Sequence, residues 1–376
     1  MSSESDQTTF QPIPALDVGT QLAPHRAEVH EAIGRVLDSG IYVLGPEVEA
    51  FEKEFATFCT AEHCVGLNSG TSALHLAMRL FDIGVGDEVI IPPYTFASTA
   101  WAPSYVGAKP VFVEIDEATF NLDPAAVEAA ITDKTKAIIA VHLYGHPADT
   151  EALSEICQKH NLALIEDAAQ AHGAELNGKR AGVLGDVACF SFYPTKNLPA
   201  CGEGGALVTN RADLAERCRA LRNHGSFQRY FHEEVGYNYR MEAIQGAALR
   251  IHLKSLQSWN DARRKIAHRY LELLADTPLL LPREAPGALS AYHLFTIRTT
   301  EAEGLKEHLK ANQIGYSAHY PKPMHLQPCY AELGHKEGDF PVSEAAAKTC
   351  INLPIFPTMT DGQIERVGKT VSGFFS

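Results

Sequence analysis

The sequence predicts an α/β protein, with a large domain built on a mostly parallel sheet between layers of helices and a smaller α/β domain after it. Helical and strand patterns alternate from about residue 47. The strand segments are continuously apolar, which is typical of sheets covered by helices on both faces. After about residue 210 the alternation gives way to long helical stretches, which indicate a change of architecture.

Each element of the large domain is predicted from its own pattern. Helices are assigned where apolar residues recur at helical spacing, with a capping residue or a glycine at an end. Strands are assigned to short runs rich in Val, Ile and Ala. In chain order the elements are helix PEVEAFEKEFATFC, strand HCVGLNSG, helix TSALHLAMRLFDIG, strand DEVIIPP, helix ASTAWAPSYVGA, strand KPVFVEID, strand TKAIIAVHLYG, helix DTEALSEICQKH, strand NLALIED, strand VACFSFYP and a strand over 206–209.

The chain is predicted to contain an N-terminal segment and two domains. The N-terminal segment covers residues 1–25, the large domain residues 26–255 and the small domain residues 256–376. A helical stretch with no proline runs from about residue 240 to about residue 276, so we expect the small domain to be preceded by, or to include, a long bridging helix. The small domain then mixes strand YHLFTIRT with helices EAEGLKEHLKAN and DGQIERVGKTVSGFF.

Charge and composition exclude several classes of protein. The net charge of −14 argues against a nucleic-acid partner, because two polyanions repel each other. A small phosphorylated ligand is compatible with this charge, since a local pocket can be positive. No apolar run is long enough to span a bilayer, and the N-terminus MSSESDQTTFQPIP lacks the pattern of a signal peptide. The eight cysteines show neither disulfide nor zinc spacing. We therefore expect a cytoplasmic protein with reduced thiols, no metal and no membrane contact.

Lys196 is the first candidate functional residue. It follows the apolar strand CFSFYP and precedes the glycine-rich stretch GEGGALV. A lysine at the mouth of a buried strand is a candidate nucleophile, because partial desolvation lowers its pKa and frees the amine. The alternative is a solvated loop lysine with no chemical role.

Asp167 ends a second apolar strand, LALIED. A buried carboxylate is costly without a partner, so a cationic ligand group would resolve that cost. The alternatives are an arginine partner or a helix cap. Gln170 follows three residues later and is expected to face the same ligand. His172 is expected to be packed and hydrogen-bonded rather than to act as a base.

Three further features point to a phosphorylated heteroaromatic ligand. A helix begins at Gly70 and Thr71 after a strand, and such an N-terminus attracts anions. Ser191 lies five residues before Lys196 and offers a hydroxyl to a phosphate. Phe96 follows another strand and could stack on a flat ring, although core packing is the usual fate of a Phe. With Lys196 and Asp167, these features describe a site for pyridoxal 5′-phosphate, with Lys196 as the Schiff-base lysine.

The chain resembles the DegT/StrS family of pyridoxal-phosphate-dependent sugar aminotransferases. The resemblance is carried by a collinear set of segments over nearly the whole chain: GIYVLGPEVEAFEKEFA, NSGTSALHLA, GDEVIIPPYTF, IEDAAQAHGA, GDVACFSFYPTKNL, GYNYRMEAIQGA and LPIFPTMTDGQIERV. It implies a fold-type-I aminotransferase with a large cofactor domain and a small domain completed by the C-terminal part.

The resemblance also implies a role for individual residues. Lys196 bonds the cofactor, Asp167 pairs with its pyridine nitrogen, Gln170 approaches its ring hydroxyl, Gly70, Thr71 and Ser191 hold its phosphate, and Phe96 stacks on its ring. Asn238 in GYNYR matches a residue that reaches the phosphate in the neighbouring subunit, which implies a homodimer with shared active sites. Tyr320 and His325 in YPKPMHLQP match a segment that lines the sugar pocket, with plain packing or exposure as the alternative.

By the same resemblance, the substrates are L-glutamate and a nucleotide-linked keto-sugar. Because Lys196 is present, transamination is favoured over sugar dehydration. The segment FSFYPTKNL…GEGGALVT resembles members that act on 3-keto sugars more than those that act on 4-keto sugars. It differs from the 3-keto members at residues 199–201. The alternatives are an aminotransferase for a keto-cyclitol and a regulatory protein of the same fold without catalysis.

Overall fold

The computed structural model describes residues 11–228 and 230–376. Within this part, the strands are β1 (His63–Leu67), β2 (Glu88–Ile91), β3 (Lys109–Phe112), β4 (Thr135–Val141), β5 (Ala163–Asp167), β6 (Glu175–Leu176), β7 (Lys179–Arg180), β8 (Val187–Ser191), β9 (Gly205–Thr209), β10 (Ala288–Leu289), β11 (Phe295–Arg298) and β12 (Cys350–Leu353).

The α-helices of the described chain are α1 (Val18–Leu22), α2 (Arg26–Ser39), α3 (Pro46–Cys59), α4 (Gly70–Leu80), α5 (Ala97–Tyr105), α6 (Pro124–Ala130), α7 (Thr150–His160), α8 (Ala212–Arg222), α9 (Ala243–Leu273), α10 (Ala302–Ala311), α11 (Pro341–Thr349) and α12 (Asp361–Phe374). Short 3₁₀ turns cover Ala23–His25, Leu143–Gly145, Met324–Leu326 and Pro328–Leu333.

The central sheet has seven strands in the order β1-β9-β8-β5-β4-β2-β3. The β8-β5-β4-β2-β3 neighbours are parallel, so the predicted mostly parallel sheet is confirmed. Strand β9 runs antiparallel to both β1 and β8, a reversal that the local pattern of the sequence did not reveal. All residues of β5 and β9 are buried, as expected for strands between two layers of helices.

Helices cover both faces of this sheet. On one face, α4, α5 and α8 pack against side chains that include Val65, Ile139 and Cys189. On the other face, α3 and α9 pack against the neighbouring residues Ala188 and Phe190. Because successive strand residues point to opposite faces, β8 contributes to both cores. The architecture is an α/β/α sandwich.

A second core lies towards the C-terminal end. It joins the last turns of α9 to α10, α12 and the antiparallel pair β11–β12. Ile13 also belongs to it, because the backbone of Ile13 bonds Gln313 and Gly315 at 2.9 and 2.7 Å. Helix α9 spans 31 residues and crosses the predicted boundary at 255/256 without a break. The predicted bridging helix is therefore present, and the domain division itself stays a prediction, with residues 1–10 outside the described chain.

The described helices include none with the length and apolar character needed to cross a membrane.

Candidate active site

The sequence-predicted residues meet where the parallel strands end. Asp167 closes β5, and Ser191 closes β8. Because parallel strands present their carboxyl ends at one edge of the sheet, the loops after them meet there. We call the group at this edge the strand-end site; its members are Gly70, Thr71, Phe96, Asp167, Gln170, Ser191 and Lys196.

The loop that carries Lys196 is a tight turn closed by backbone hydrogen bonds. The N–H of Lys196 donates to the carbonyl of Tyr193 at 2.8 Å, and the N–H of Ala200 donates to the carbonyl of Phe192 at 2.7 Å. Phe192 and Leu198 are fully buried and anchor the turn from inside. The turn therefore holds the backbone of Lys196 beside the end of β8.

The Lys196 side chain has the electrostatics of a nucleophile. Its amine is half-buried and has no hydrogen-bond partner in residues 11–228 and 230–376. Burial lowers the pKa of Lys196 from 10.5 to about 8, and the nearby Asp167 carboxylate opposes part of that shift. A lysine with this pKa holds a substantial fraction of free amine near neutral pH.

Asp167 is buried and has no ion-pair partner in the described chain. Its Oδ2 accepts a hydrogen bond from the hydroxyl of Thr99 at 2.7 Å, and its Oδ1 accepts one from the N–H of Ala169 at 3.3 Å. Burial raises the pKa of this carboxyl above its ordinary value, while both hydrogen bonds and the Lys196 charge oppose the rise. The sequence-derived alternative of an arginine partner is wrong.

The start of α4 forms a narrow cradle against the end of β8. A Cβ on Gly70 would lie 2.8 Å from Cβ of Ser191, and a Cβ on Gly205 would lie 2.5 Å from N of Gly70. Only glycines permit this approach. The N–H groups of Gly70 and Thr71 donate to no acceptor in the described residues, and the Thr71 hydroxyl lies 2.7 Å from that of Ser98. Free N–H groups and hydroxyls at a helix N-terminus suit a phosphate.

Gln170 is fixed from both ends of its amide. Its Oε1 accepts a hydrogen bond from the N–H of Tyr144 at 2.6 Å, and its Nε2 donates to the hydroxyl of Tyr320 at 3.1 Å. Tyr144 takes the left-handed conformation, with φ of 59°, which is unusual for a side chain of this size and aims its N–H at Gln170.

Tyr320 reaches the strand-end site from the C-terminal part of the chain. Its ring lies 6.0 Å from that of Phe96, which is 53% exposed and so not a core residue. The hydroxyls of Tyr94 and Tyr144 both donate to the carbonyl of His319, and the N–H of Tyr320 donates to the hydroxyl of Tyr94 at 2.9 Å. These two tyrosines hold the His319–Tyr320 segment against the loops that follow β2 and β4.

Asn238 lies apart from the other members of the predicted site. Its side chain is exposed, and its Oδ1 accepts hydrogen bonds from Nε and Nη2 of Arg240 at 3.1 and 2.8 Å. It has no hydrogen bond to the strand-end site within the described chain. The segment runs along the end of β1, where the N–H of Asn68 donates to the carbonyl of Tyr239.

The structure does not bring His325 to the strand-end site. Its ring is 1% exposed, packs 4.7 Å from that of Phe340, and donates from Nε2 to Glu344 at 3.1 Å. The alternative of plain packing therefore describes His325. His172 is packed as expected, among Phe190 and Phe192, and burial lowers its pKa to about 3. The expected hydrogen bonds of its ring nitrogens are missing within the described chain.

Sequence reasoning missed three residues that touch the predicted site. Thr99 bonds Asp167, Ser98 bonds Thr71, and Tyr144 bonds Gln170. Ser98 and Thr99 are the last two residues of the segment PPYTFAST, where two adjacent hydroxyls at the start of a helix were a usable signal. Tyr144 gave no signal, because its role depends on a backbone conformation.

The donor set fits pyridoxal 5′-phosphate. The glycine cradle and the free N–H groups of α4 suit its phosphate, the buried Asp167 suits its cationic ring nitrogen, and the amine of Lys196 suits its aldehyde. Oδ1 of Asp167 has only a long contact and keeps a lone pair for a further donor. The residues present are therefore complementary to each polar part of this cofactor.

Comparisons with known proteins agree with this chemistry. A model of the DegT/DnrJ/EryC1/StrS aminotransferase family matches residues 24–372. The chain is 50% identical over 356 residues to a dTDP-3-amino-3,4,6-trideoxy-α-D-glucose transaminase of Streptomyces venezuelae, covering 94% of each protein. It is 45% identical to a dTDP-3-amino-3,6-dideoxy-α-D-galactopyranose transaminase of Aneurinibacillus thermoaerophilus, covering 96% of this chain and 99% of the relative.

The fold is similar to that of a solved relative. The crystal structure of DesV from S. venezuelae superposes with a TM-score of 0.96 at 48% identity, covering 98% of this chain and 99% of DesV.

Proposed function

This chain belongs to the DegT/DnrJ/EryC1/StrS aminotransferase family, and from that membership we propose that it transfers the amino group of L-glutamate to the 3-keto group of a nucleotide-linked deoxysugar. The observation that carries the proposal is the half-buried, unbonded amine of Lys196 beside the buried carboxylate of Asp167. The net reaction converts L-glutamate and a ketone into a 2-oxo acid and an amine, so it needs no further oxidant or reductant.

The protein is a pyridoxal-phosphate-dependent aminotransferase. When bound, this cofactor supplies an electron sink for the carbon that bears the transferred nitrogen. Gly70, Thr71 and Ser191 would hold the phosphate, Phe96 would cover one face of the ring and Gln170 would meet the ring hydroxyl. Asp167 would keep the ring nitrogen protonated, because a buried carboxylate without another cation favours a cationic neighbour.

Lys196 has two tasks in this proposal. Its amine would hold the cofactor through the aldehyde, and once free of the cofactor the same amine would carry a proton to or from the substrate carbon. A pKa of about 8 suits both tasks, because the group exchanges protons readily near neutral pH. The turn closed between Phe192 and Ala200 holds the backbone of Lys196 at the end of β8, beside the loop that follows Asp167.

The 3-keto assignment has two supports. The amino-acid sequence around Lys196 favours a 3-keto acceptor, and both relatives described above are named for 3-amino products. The second transaminase acts on a sugar with a different pattern of hydroxyls, so the 3-position is what the two relatives share. Tyr320 is the residue we propose for sugar contact, because its ring borders Phe96 and its hydroxyl meets Gln170.

We propose a homodimer in which Asn238 completes the partner's phosphate site. Asn238 is exposed and separate from the strand-end site of its own chain. The neighbouring segment exposes Ile41, Tyr42 and Val43 at 45–51%, and the N–H of Ala243 bonds the carbonyl of Tyr42 beside it. An exposed apolar strip of this kind suits burial against a second copy.

The first experiment separates the two halves of the reaction. Holoenzyme is mixed with L-glutamate alone, and the visible absorbance band of the lysine-bound cofactor is followed. We expect the band to disappear and an equivalent of 2-oxoglutarate to form. If the band does not respond to glutamate but responds to another amino acid, the proposed donor is wrong. If the protein binds no cofactor, the regulatory alternative is favoured.

The second experiment identifies the acceptor. The glutamate-treated enzyme is freed of glutamate and mixed with a dTDP-linked 3-keto sugar, a dTDP-linked 4-keto sugar or a keto-cyclitol. We expect the 3-keto sugar to restore the visible band and to yield an amino sugar by mass spectrometry. Restoration by the 4-keto sugar or the cyclitol alone would overturn the assignment of the acceptor while leaving the aminotransferase intact.

A further inference from the structure

Two buried hydroxyls lead in series to the carboxylate of Asp167. Oγ1 of Thr99 lies 2.7 Å from Oδ2 of Asp167, and Oγ1 of Thr95 lies 2.9 Å from Oγ1 of Thr99. Thr99 and Thr95 are 0% and 2% exposed. An ionised carboxylate only accepts, so Thr99 gives its one proton to Asp167, and its oxygen is left to accept from Thr95. The order is Thr95 to Thr99 to Asp167.

The Thr99 hydroxyl has no other task in the described chain. It lies in the first turn of α5, whose N-cap residue Phe96 makes no side-chain cap, and Thr99 Oγ1 bonds no backbone group. The adjacent Ser98 hydroxyl is bonded to Thr71 instead. The two neighbouring hydroxyls therefore serve different members of the strand-end site.

We propose that Thr99, oriented by Thr95, is a positioning residue that holds Asp167 ionised and turned so that Oδ1 faces the ring nitrogen of the cofactor. The proposal rests on the role proposed above for Asp167. A 2.7 Å O–H···O⁻ bond is short and charge-assisted, and it stabilises the ionised form of its acceptor. It occupies Oδ2 and leaves Oδ1 with only the 3.3 Å contact to Ala169.

The test compares Thr99→Val with Thr99→Ser and Thr95→Val. Valine keeps the shape of Thr99 and removes the hydroxyl, whereas serine keeps the hydroxyl. Thr209→Val is the matched control, because Thr209 is 1% exposed and its hydroxyl donates to a carbonyl away from the site, that of Asp186 at 2.7 Å. Circular dichroism checks that each variant is folded.

Two readouts that need no substrate are measured on the full-length protein. One is the dissociation constant of pyridoxal 5′-phosphate, and the other is the pH midpoint of the visible band of the holoenzyme. We expect Thr99→Val to weaken retention by roughly 10- to 100-fold. We expect it to move the midpoint upward, because a less firmly protonated ring draws less charge from the Lys196 nitrogen. Thr99→Ser should restore both, and Thr95→Val should change both in the same direction by less.

The outcomes separate this inference from the proposed function. If Thr99→Val matches wild type, or changes no more than Thr209→Val, the role of Thr99 is overturned. If Thr99→Val does not fold, an unchanged midpoint in Thr95→Val overturns it. Asp167→Asn tests the underlying assignment: unchanged retention and midpoint in that variant would remove the role of Asp167, whereas a loss there with a normal Thr99→Val would remove only the role of Thr99.

Discussion

Asn197 Oδ1 accepts a hydrogen bond from Nδ1 of His293 at 3.0 Å, which ties the residue after Lys196 to the chain segment before β11. The amide of Asn197 also donates to Oδ1 of Asn260 and to the carbonyl of Ala291, both at 2.9 Å. A carbonyl accepts only, so these contacts fix which end of the amide faces His293. The lysine turn is thus connected to α9 and to the second core through one buried side chain.

Asn197→Ala should destabilise the apoenzyme by about 3 kcal/mol, because it leaves several buried polar groups without partners. Chemical denaturation measures the free energy of unfolding. Gln158→Ala, at an exposed position of α7, is the control and should change it by less than about 0.5 kcal/mol. We also expect Asn197→Ala holoenzyme to turn over more slowly, because the Lys196 turn loses its anchor. A stability equal to that of the control variant would contradict the structural role of Asn197.

The pKa of Lys196 predicts how the apoenzyme captures its cofactor. The rate of covalent capture should rise as pH increases through about 8 and then level, because only the neutral amine attacks the aldehyde. Stopped-flow absorbance measures this rate. Lys196→Ala should fold and show no covalent capture, whereas Lys134→Ala, at an exposed lysine, should behave as wild type. A midpoint near 10.5, the ordinary lysine value, would argue for a solvated amine.

Asp167 predicts a pH dependence of apoenzyme stability with a definite sign. Burial raises the pKa of the folded carboxyl, so its contribution is complete below the unfolded pKa of about 3.8 and is lost as pH rises through the folded pKa. Asp167→Asn cannot ionise and should escape this loss. Thermal unfolding of the two apoenzymes from acid to neutral pH should show the variant gaining relative stability as pH rises. The same variant should release pyridoxal 5′-phosphate more readily. A stability of the variant that falls relative to wild type as pH rises would refute the prediction.

Asn238 predicts complementation between subunits. Lys196→Ala and Asn238→Ala homodimers should each be impaired, the first inactive and the second poor at retaining the cofactor. Co-expression with two affinity tags yields mixed dimers, in which one of the two sites has both Lys196 and Asn238. We expect this preparation to regain up to about half of the wild-type activity per dimer. If mixed dimers are no better than Asn238→Ala alone, Asn238 does not act across an interface.

Local patterns were enough for elements whose signals lie within one segment. Helix α3 coincides with the predicted PEVEAFEKEFATFC, because Gly45 and Pro46 mark its start and its apolar residues recur at helical spacing. Lys196 and Asp167 were predicted for the same reason, since each follows an apolar strand in a sheet whose carboxyl ends meet.

Features that depend on distant partners were missed or misplaced. The direction of β9 is decided by its pairing with β1 and β8. The apolar pattern of GGALVT predicts a strand but does not indicate whether that strand is parallel or antiparallel to its neighbours. Thr99 bonds a carboxylate 68 positions away. Its position at the start of a helix gives no indication of that partner. For His325 the resemblance left a sugar-pocket role and plain packing both open, and its contacts with Glu344 of α11 and the ring of Phe340 favour packing.

The pairing of Ile13 with Ile314 brings residues near both ends of the described chain into one core. Arg366 of α12 extends this link by donating to the carbonyl of Gln11, 355 positions away, at 2.6 Å. During synthesis, Gln11 and Ile13 have no partner in this core until nearly the whole chain has left the ribosome, so this core closes last. A ribosome stalled before α12 would therefore display a sheet-containing nascent chain in which Gln11 lacks its contact with Arg366, and we expect a protease to cleave that chain near Gln11 more readily than the full-length protein.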